Sequence, residues 1–432
     1  MPNKVTTVAT SVSAAFAGGF SFPHVGGPRV IFSGYGGGSS DTQVLAAFAG
    51  DKVSDLLSAG GSHARFAGVA DASSTTSATA FVGQAETATG VYILRDRRLA
   101  TIATSAKSGF DGLSDPSLSS SSGLSSISFI GKKGSFRGLF IGRAWDDGRL
   151  TGAGDPTLLH ELVNSTRSIP TQTASAPLAC IQSPALSLPA GVVAFFGSSC
   201  DGDANSLRDS GRFRRSVTLK DHAIKPSAPA NRAAGIFLVR VPKQDAKWPK
   251  PGSAQIEVVA DYTTAVPAPT PVSAAAAADN TTARPAFVGF SAPIVGAAGN
   301  NVAFVGQTST GALGIFVYRL DQNLLQQVVD TGTPVPGGLG TFGDFPYPPS
   351  IHEDTLVFYA AAGGATSGIY VARHCKTGPS MWCVQPVITL ADQINGEPIV
   401  FLGLGGGAFD GKSATFYAVT SIDGVYTVKV DS

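Results

Sequence analysis

Charged residues are scarce in this sequence. Asp, Glu, Lys and Arg make up 14% of the 432 residues, and 31 basic residues nearly balance 30 acidic ones, which gives a net charge of +1. Because both signs are dispersed, the chain lacks the concentrated basic surface that attracts nucleic acids or anionic membranes. No apolar run reaches the ~18 residues of a membrane-spanning helix. The sequence therefore predicts neither nucleic-acid binding nor a membrane span, and its shortage of Glu and Lys argues against a helical protein.

Histidine is also scarce, with six copies in the chain. No two of them have the spacing of metal ligands, and none follows a nucleophile elbow. The Gly-rich stretch at residues 403–407 lacks the Lys and the helix start of a phosphate-binding loop, so we interpret it as a turn. The sequence thus contains no positive evidence for catalysis.

Glycine is abundant, with 52 copies, and many of them belong to a repeat. Seven apolar stretches end in Phe, any residue, and then Gly or Ala; their phenylalanines are Phe32, Phe81, Phe129, Phe195, Phe304, Phe358 and Phe416. Six stretches have the order Gly, aliphatic, aromatic, and they begin at Gly90, Gly138, Gly235, Gly314, Gly368 and Gly424. Short runs of β-branched and aromatic residues bounded by Gly are typical of β-strands.

Two further elements complete each repeat. One is a strand that ends in a polar turn residue, as at residues 325–330, and the other is a Phe- and Gly-containing turn that leads to Pro, as at residues 342–348. Each unit therefore has four strands, which we letter A to D. Strand A follows the Phe turn, B carries the Phe-x-Gly pattern, C carries the Gly-aliphatic-aromatic pattern, and D ends in the polar turn. Seven such units predict an all-β fold, a seven-bladed β-propeller.

The two ends of the sequence indicate how the ring closes. The last unit stops at its C strand, residues 425–430, while residues 4–10 resemble a D strand. The N-terminal strand is therefore predicted to complete the last blade, which removes the sheet edges that an open array exposes. A linear solenoid is the alternative, and it leaves both end units unpaired. We expect a single propeller over residues 1–432.

One stretch of the repeat also carries a resemblance to a known group. Residues 299–304, with the order Gly-Asn-Asn-Val-Ala-Phe, resemble the Gly-x-x-x-Ala-Phe core of tandem-repeat, propeller-forming units in secreted bacterial-type proteins. Residues 328–338 resemble the connecting turn of those units. The likeness covers residues 286–345 and fades elsewhere. It implies an extracytoplasmic propeller of undefined biochemistry and transfers no catalytic residue.

Three insertions interrupt the repeat, at residues 144–180, 198–234 and 263–285. The first contains a helical-looking piece at residues 157–163, and the third is a Pro- and Ala-rich segment of low complexity. Loops on a rigid scaffold are where partners and ligands are usually met. We therefore expect recognition at these rim insertions; drift in loops that tolerate length changes is the alternative.

The four cysteines form two local pairs. Cys180 and Cys200 lie symmetrically about the predicted turn between strands A and B of the fourth unit, and Cys375 and Cys383 lie symmetrically about a turn between strands C and D of the sixth. In an antiparallel hairpin such positions face one another within disulfide reach. Two disulfides indicate an oxidising compartment, and four buried thiols are the alternative.

Other features bear on the compartment. Asn164 and Asn280 begin N-glycosylation sequons, both of which fall in insertions. Residues 1–20 lack the basic region and apolar core of a secretory signal. Either a leader has been removed or the protein is intracellular, and the paired cysteines favour the first. We therefore expect an extracellular or secretory location.

The most specific candidate ligand site is an acidic loop in the second insertion. Its oxygen donors, at alternate positions, are Asp201, Asp203, Asn205, the carbonyl of Leu207, and Asp209. Such a loop can converge on one Ca²⁺, which prefers six to eight oxygens. The loop resembles the calcium loops of integrin-type propellers, although Ser206 stands where those loops have Gly. Calcium is thus the one expected cofactor, and a solvated acidic loop is the alternative.

Three acidic residues recur at equivalent places in the repeat. Asp111, Asp344 and Asp410 lie in the Phe and Gly turns before strand A, and these turns are expected to ring the mouth of the central channel. The three carboxylates are therefore candidates for a shared ligand. The alternative is structural, because Asp stabilises turns by accepting hydrogen bonds from its own backbone.

A basic cluster follows the acidic loop. Arg212, Arg214 and Arg215 form its centre. Arginine suits carboxylates and sulfates, so an anionic glycan or an acidic partner is a candidate ligand. A solvated loop is the alternative.

These features lead to one main functional expectation and two alternatives. The main one is a secreted, non-catalytic binding or assembly module that recognises a glycan or an extracellular protein through its rim loops, assisted by calcium. The first alternative is an extracellular hydrolase or lyase that acts at the channel mouth. The second is a structural subunit that self-assembles in an extracellular filament or coat.

Overall fold

The computed structural model describes most of the chain. The described residues are 5–12, 19–20, 23–26, 29–35, 43–49, 52–59, 66, 68–85, 87–95, 98–121, 124–146, 149–150, 159–170, 176–199, 233–241, 250–251, 253–267, 284–296, 300–375 and 382–430. They form seven antiparallel sheets of the kind predicted from the repeat, and the fold is an all-β, seven-bladed propeller.

The strands of each blade follow one another in the order A, B, C, D. Blade 1 has Gly19–Phe20 with His24–Gly26, Arg29–Tyr35, Gln43–Ala49 and Lys52–Ala59. Blade 2 has Gly68–Ser74, Ala78–Gln84, Thr89–Arg95 and Arg98–Thr104. Blade 3 has Gly112–Ser121, Leu124–Lys133, Phe136–Asp146 and Leu159–Asn164. Blade 4 has Cys180–Ser187, Val192–Ser198, Ala234–Arg240 and Ile256–Asp261.

The remaining blades repeat the plan. Blade 5 has Phe287–Phe290 with Ile294–Val295, Asn301–Thr308, Leu313–Arg319 and Leu324–Asp330. Blade 6 has Ser350–His352, Thr355–Ala360, Gly368–His374 and Trp382–Thr389. Blade 7 has Phe401–Gly403, Ser413–Val419, Asp423–Lys429 and Val5–Thr10. Minor elements are strand Arg149–Leu150, the pairs Ser168–Ile169 with Ala176–Pro177 and Gln393–Ile394 with Glu397–Pro398, helix Ser105–Ser108 and the 3₁₀ turn Gly364–Thr366.

The N-terminal strand closes the ring, as predicted. Val5–Thr10 pairs antiparallel with Asp423–Lys429, with Val5 opposite Val428 and Thr10 opposite Gly424. The last blade thus takes its outer strand from the other end of the chain, so both ends of the array are paired.

The Phe-x-Gly pattern marks a close approach inside the blade. A Cβ atom on Gly306 would lie 2.6 Å from a ring carbon of Phe287, because that ring of the Phe turn lies directly over the glycine. Phe287 also meets Phe316 of strand C, with ring centroids 4.8 Å apart, and Phe316 stacks on Phe304 at 5.8 Å. The same approach recurs in blades 2 and 3, at Gly83 with Phe66 and at Gly131 with Phe110. In these blades the repeat therefore encodes an aromatic core.

Serine hydroxyls join neighbouring blades along their A strands. We call Ser73, Ser117, Ser119 and Ser350 the serine belt. Each Oγ accepts a backbone N–H from the next blade; the donors are Leu118, Leu186, Leu188 and Phe409, at 3.1, 3.0, 3.0 and 3.0 Å. The belt links blade 2 to 3, 3 to 4, and 6 to 7. Serine in these strands thus has a structural role, because it satisfies main-chain groups that face a neighbouring sheet.

The helical interpretation of residues 157–163 is wrong. Leu159–Asn164 is strand D of blade 3 and pairs with strand C, with Asn164 opposite Gly138. The register shifts between Leu139 and Phe140 of strand C, so Leu162 lies in a bulge and both Leu162 and Val163 are buried. Two successive buried apolar residues break the alternation of an ordinary strand and imitate a helical face. No helix among the described residues is long and apolar enough to cross a membrane.

Candidate functional site

The structure does not bring the three predicted turn carboxylates together. Asp111 lies beside the last residues of strand B in blade 3, where its backbone N–H donates to Lys132 O at 2.7 Å. Asp410 lies beside the first residue of strand B in blade 7, where its Oδ1 accepts the N–H of Ser413 at 2.7 Å. Since B strands of successive blades run in the same direction, these two residues lie at opposite ends of the propeller.

Asp344 lies at the same end as Asp111 but three blades away. Its backbone pairs with Ala361, just after strand B of blade 6, and its Oδ1 accepts the N–H of Phe345 at 2.7 Å. The carboxylates of Asp111 and Asp410 likewise accept backbone N–H groups, from Gly134 and Lys412. These contacts favour the turn-stabilising interpretation over a shared ligand.

Several predicted site residues lie outside the described residues, so the expectations attached to them stay predictions. They are Asp201, Asp203, Asn205, Leu207 and Asp209 of the calcium loop, the basic residues Arg212, Arg214 and Arg215, Cys200, and the sequon residue Asn280. Residues 200–232 of the second insertion and residues 268–283 of the third also lie outside the described residues. Within the described ranges no group of three or more His, Cys, Asp or Glu has the geometry to hold a metal ion.

One of the two predicted disulfides is present. Cys375 and Cys383 are bonded between strands C and D of blade 6, with their Cα atoms 5.1 Å apart. Cys180 begins strand A of blade 4 opposite Ser198, and its bond to Cys200 remains a prediction. The sequon residue Asn164 ends strand D of blade 3, where its Oδ1 accepts the N–H of Thr166 at 2.9 Å.

A different site emerges on the A strands of blades 3 and 4. Both strands carry a bulge at the equivalent place, between Ser114 and Ser117 and between Gln182 and Ala185. Asp115 (φ 53°) and Ser183 (φ 49°) occupy these bulges in the left-handed region. Each precedes a proline, and such backbone in non-glycine residues costs of order 1–3 kcal/mol, a strain that is concentrated at functional sites.

A recess of about 350 Å³ opens between these two strands. We call it the Asp115 recess. Its polar lining is Ser114, Asp115, Lys132, Arg137, Gln182 and Ser183. Ser114 and Asp115 lie on strand A of blade 3, and Gln182 and Ser183 lie on strand A of blade 4. Lys132 is the second-to-last residue of strand B in blade 3, and Arg137 is the second residue of strand C. The recess is therefore built on regular strands of two adjacent blades.

Asp115 supplies the carboxyl of the described lining, and its pKa is shifted. Burial raises the pKa of its carboxyl above the usual value, and three contacts oppose this shift: the Ser114 hydroxyl, the backbone N–H of Ser183 and the charge of Arg137. The Ser114 Oγ donates to Oδ2 of Asp115 at 3.0 Å. Because the shift is upward overall, desolvation outweighs the hydrogen bonds and the guanidinium. A carboxyl held this way keeps its proton to higher pH than an exposed one.

Arg137 spans the gap between the two blades. Its backbone is fixed in blade 3 by two hydrogen bonds with Ser165, one from Arg137 N to Ser165 Oγ at 3.1 Å and one from Ser165 N to Arg137 O at 2.8 Å. Its Nη1 reaches blade 4 and donates to Cys180 Sγ at 3.3 Å, and Gln182 Nε2 donates to the same sulfur at 2.9 Å. The guanidinium is therefore held in place at the wall of the recess.

The sequence contained one signal for this site. The stretches Ser114-Asp115-Pro116 and Gln182-Ser183-Pro184 stand at equivalent places after the Phe or Leu of the turn. A polar residue before proline in an inner strand is a candidate bulge. Its importance depends on the neighbouring blade, and for that reason the repeat pattern alone did not reveal it.

No family model and no curated protein matches this chain. Similar solved structures include TolB from Acinetobacter baumannii (9% identity, TM-score 0.37, 99% of this chain and 63% of that one). A puromycin-hydrolyzing peptidase from Mycobacterium tuberculosis is another (14%, 0.38, 97% and 60%). A third is the β-propeller domain of the Trilobed protease from Pyrococcus furiosus (8%, 0.48, 95% and 94%). The chain spans less than two thirds of the first two, and the likeness is one of fold.

The solved structures contradict the main functional expectation from the sequence, which was a non-catalytic binding or assembly module. The similar solved structures are TolB and the propellers of peptidases, among them prolyl endopeptidases and an acylaminoacyl peptidase. Because their identity to this chain is low, they show the fold and transfer no activity to it.

Proposed function

We propose that this protein is a propeller with hydrolase function, and that the Asp115 recess is its catalytic site. The observation that carries the proposal is the carboxyl of Asp115. It is half-buried, its pKa is raised by desolvation, it sits on a strained backbone, and it faces a recess on the inner strands of two blades. Carboxyl groups with these properties are typical of general acids.

The recess has the groups that an acid-assisted hydrolysis needs. Asp115 in its protonated form donates its proton to the oxygen or nitrogen of the bond that breaks, while water forms the new bond to the reacting centre. The attacking water releases a proton to solvent, and Asp115 is reprotonated from solvent for the next turnover. The hydrogen bonds from the Ser114 hydroxyl and the Ser183 N–H orient the carboxyl and stabilise the anion left after proton transfer. The Arg137 guanidinium supplies positive charge for oxygen that becomes negative in the transition state.

The proposed place of action is outside the cytoplasm. The Cys375–Cys383 disulfide supports this, because disulfides persist in oxidising compartments. An extracellular or periplasmic location also agrees with the sequence expectation.

The first experiment is a hydrolysis screen with 4-nitrophenyl esters, 4-nitrophenyl glycosides and peptide 4-nitroanilides between pH 4 and 8. Peptide substrates are included because several similar structures are peptidases. We expect activity in at least one class, lost by 10²-fold or more in Asp115→Asn. As pH rises through the raised pKa of Asp115, the general acid loses its proton, so the rate should fall.

The matched control is Asp111→Asn, four residues earlier in the chain. Asp111 is exposed and does not line the recess, and an amide oxygen can still accept the Gly134 N–H. This variant should keep full activity. Equal activity in wild type and Asp115→Asn, or no hydrolysis in any class, would overturn the proposal.

A further inference from the structure

We propose that the Asp115 recess selects ligands that carry a carboxylate, which Arg137 and Lys132 bind. The inference deepens the proposed function, on which it rests for calling that ligand a substrate. It names the chemical group that determines specificity and the two residues that recognise it.

The described lining of the recess holds more cationic than anionic groups. It has two cations, Lys132 and Arg137, and one carboxyl, that of Asp115. Among the described residues, neither cation has a carboxylate oxygen within 4.0 Å, whereas Arg240 pairs with Glu257 at 2.8 Å on the rim of blade 4. Even when Asp115 is ionised and interacts with Arg137, two cations face one carboxyl, so positive charge remains for an anionic ligand.

Arg137 is partly preorganised for a ligand. Its main chain is fixed by Ser165, and its Nη1 donates to Cys180 Sγ, so the guanidinium is restrained at one end before a ligand arrives. A guanidinium has five N–H donors, and a planar carboxylate accepts two of them side by side. Little side-chain entropy then remains to be lost on binding.

Asp115 is the one acid among the described residues that line the recess. Burial raises the pKa of its carboxyl, so this group carries negative charge less readily than an exposed acid and repels an incoming carboxylate less. Ser114 and Ser183 already bond to that carboxyl from its own strand and from the neighbouring strand. These contacts hold the Asp115 carboxyl next to Lys132 and Arg137, and within the described lining it forms no salt bridge with either of them.

The volume limits the size of the bound group. About 350 Å³ lies near the lower end of ligand pockets and accommodates one sugar ring or one to two amino-acid residues. Groups of this size that carry a carboxylate are uronic acids and the C-terminal residues of peptides. The binding experiment described next distinguishes these two sources.

The test measures binding by calorimetry at low salt with pairs of probes that differ only in charge. The pairs are glucuronate with glucose, and N-acetylalanine with N-acetylalaninamide. We expect the carboxylate of at least one pair to bind 10-fold or more tightly than its neutral partner. Arg137→Gln should weaken that binding at least 10-fold and Lys132→Met about 3-fold. Arg137→Lys, which keeps the charge, should retain part of it, and near-ultraviolet circular dichroism checks the fold of each variant.

Lys133→Met is the matched control, because Lys133 is the next residue on the same strand and does not line the recess. Equal binding of charged and neutral probes, or an equal loss in Lys133→Met and Arg137→Gln, would overturn the inference. Binding and turnover are read separately, since Asp115→Asn should lose hydrolysis but keep the carboxylate preference. Carboxylate binding without any hydrolysis would refute the proposed function alone.

Discussion

Removal of one hydroxyl of the serine belt should destabilise the propeller far more than removal of a buried hydroxyl directly opposite it. Ser117 and Ser128 face each other across strands A and B of blade 3. Ser117 Oγ accepts the N–H of Leu186 in blade 4 at 3.0 Å. Ser128 is fully buried, and its Oγ has no hydrogen-bond partner among the described residues. Ser117→Ala and Ser128→Ala therefore form a matched pair.

The magnitudes follow from what each variant leaves behind. Leu186 is only 5% exposed, so Ser117→Ala leaves its buried N–H without an acceptor, which costs about 1–3 kcal/mol. Ser128→Ala removes a buried hydroxyl that makes no hydrogen bond, so it should be neutral or stabilise by up to about 1 kcal/mol. The free energies of unfolding of the two variants should thus differ by about 1–4 kcal/mol.

Urea denaturation followed by far-ultraviolet circular dichroism measures this difference. The midpoint of Ser117→Ala should fall with little change in the slope, while that of Ser128→Ala should stay or rise. If Ser117→Ala is no more destabilising than Ser128→Ala, the serine belt does not stabilise the contact between blades 3 and 4 and the reasoning fails.

Three further predictions concern other contacts. Burial lowers the pKa of His24 to about 4, so as the pH falls the unfolded chain binds the proton before the folded protein does. The free energy of unfolding should therefore fall by up to about 3 kcal/mol between pH 6.5 and 4. Urea denaturation at a series of pH values should show this loss in wild type but not in His24→Gln. Gly306→Ala should lower the free energy of unfolding by about 1–3 kcal/mol, because the new Cβ would meet the Phe287 ring. Gly343→Ala is the control: its Cβ would have no contact under 3.4 Å, so it should lower the free energy of unfolding by less than about 1 kcal/mol. Equal losses in urea denaturation would contradict the steric explanation. Asn301→Ala removes two hydrogen bonds, of 2.8 and 3.0 Å, that join blade 5 to the A–B turn of blade 6. The free energy of unfolding should fall by about 1–3 kcal/mol in the same assay. An unchanged urea midpoint would show that these hydrogen bonds do not stabilise the fold.

The fold could be predicted because each blade repeats the same local requirement. Gly306 must be small since Phe287 lies over it, and the same steric demand recurs at Gly83 and Gly131, so it appears in the sequence as a pattern. The closing strand could be predicted because Val5–Thr10 supplies the one strand that the last unit lacks. Both features depend on residues close in sequence or on simple counting.

The site could not be predicted in the same way. Burial raises the pKa of the Asp115 carboxyl, and the contacts that oppose this shift include the Ser183 N–H of the neighbouring blade, which the repeat pattern does not reveal. Asp410 looked equivalent to Asp111 because both lie near Phe and Gly in the sequence. The blade 7 connection between strands A and B is longer, however, and it carries Asp410 to the opposite end of strand B. The length of the A–B connection therefore determines where Asp410 lies, although its neighbours in the sequence resemble those of Asp111.

The pairing of Val5–Thr10 with Asp423–Lys429 also has a consequence for the order of folding. Blades 1 to 6 are each made from one continuous segment and can form as the chain emerges, but blade 7 stays incomplete until both of its distant segments are available. That last step closes the longest loop in the molecule, so its entropic barrier is the largest. A circular permutant can join the present ends and open the chain at the connection between blades 6 and 7. Every blade is then made from contiguous sequence. We expect this permutant to fold faster than the native chain, and its ring to open more readily because no strand from a distant segment closes it.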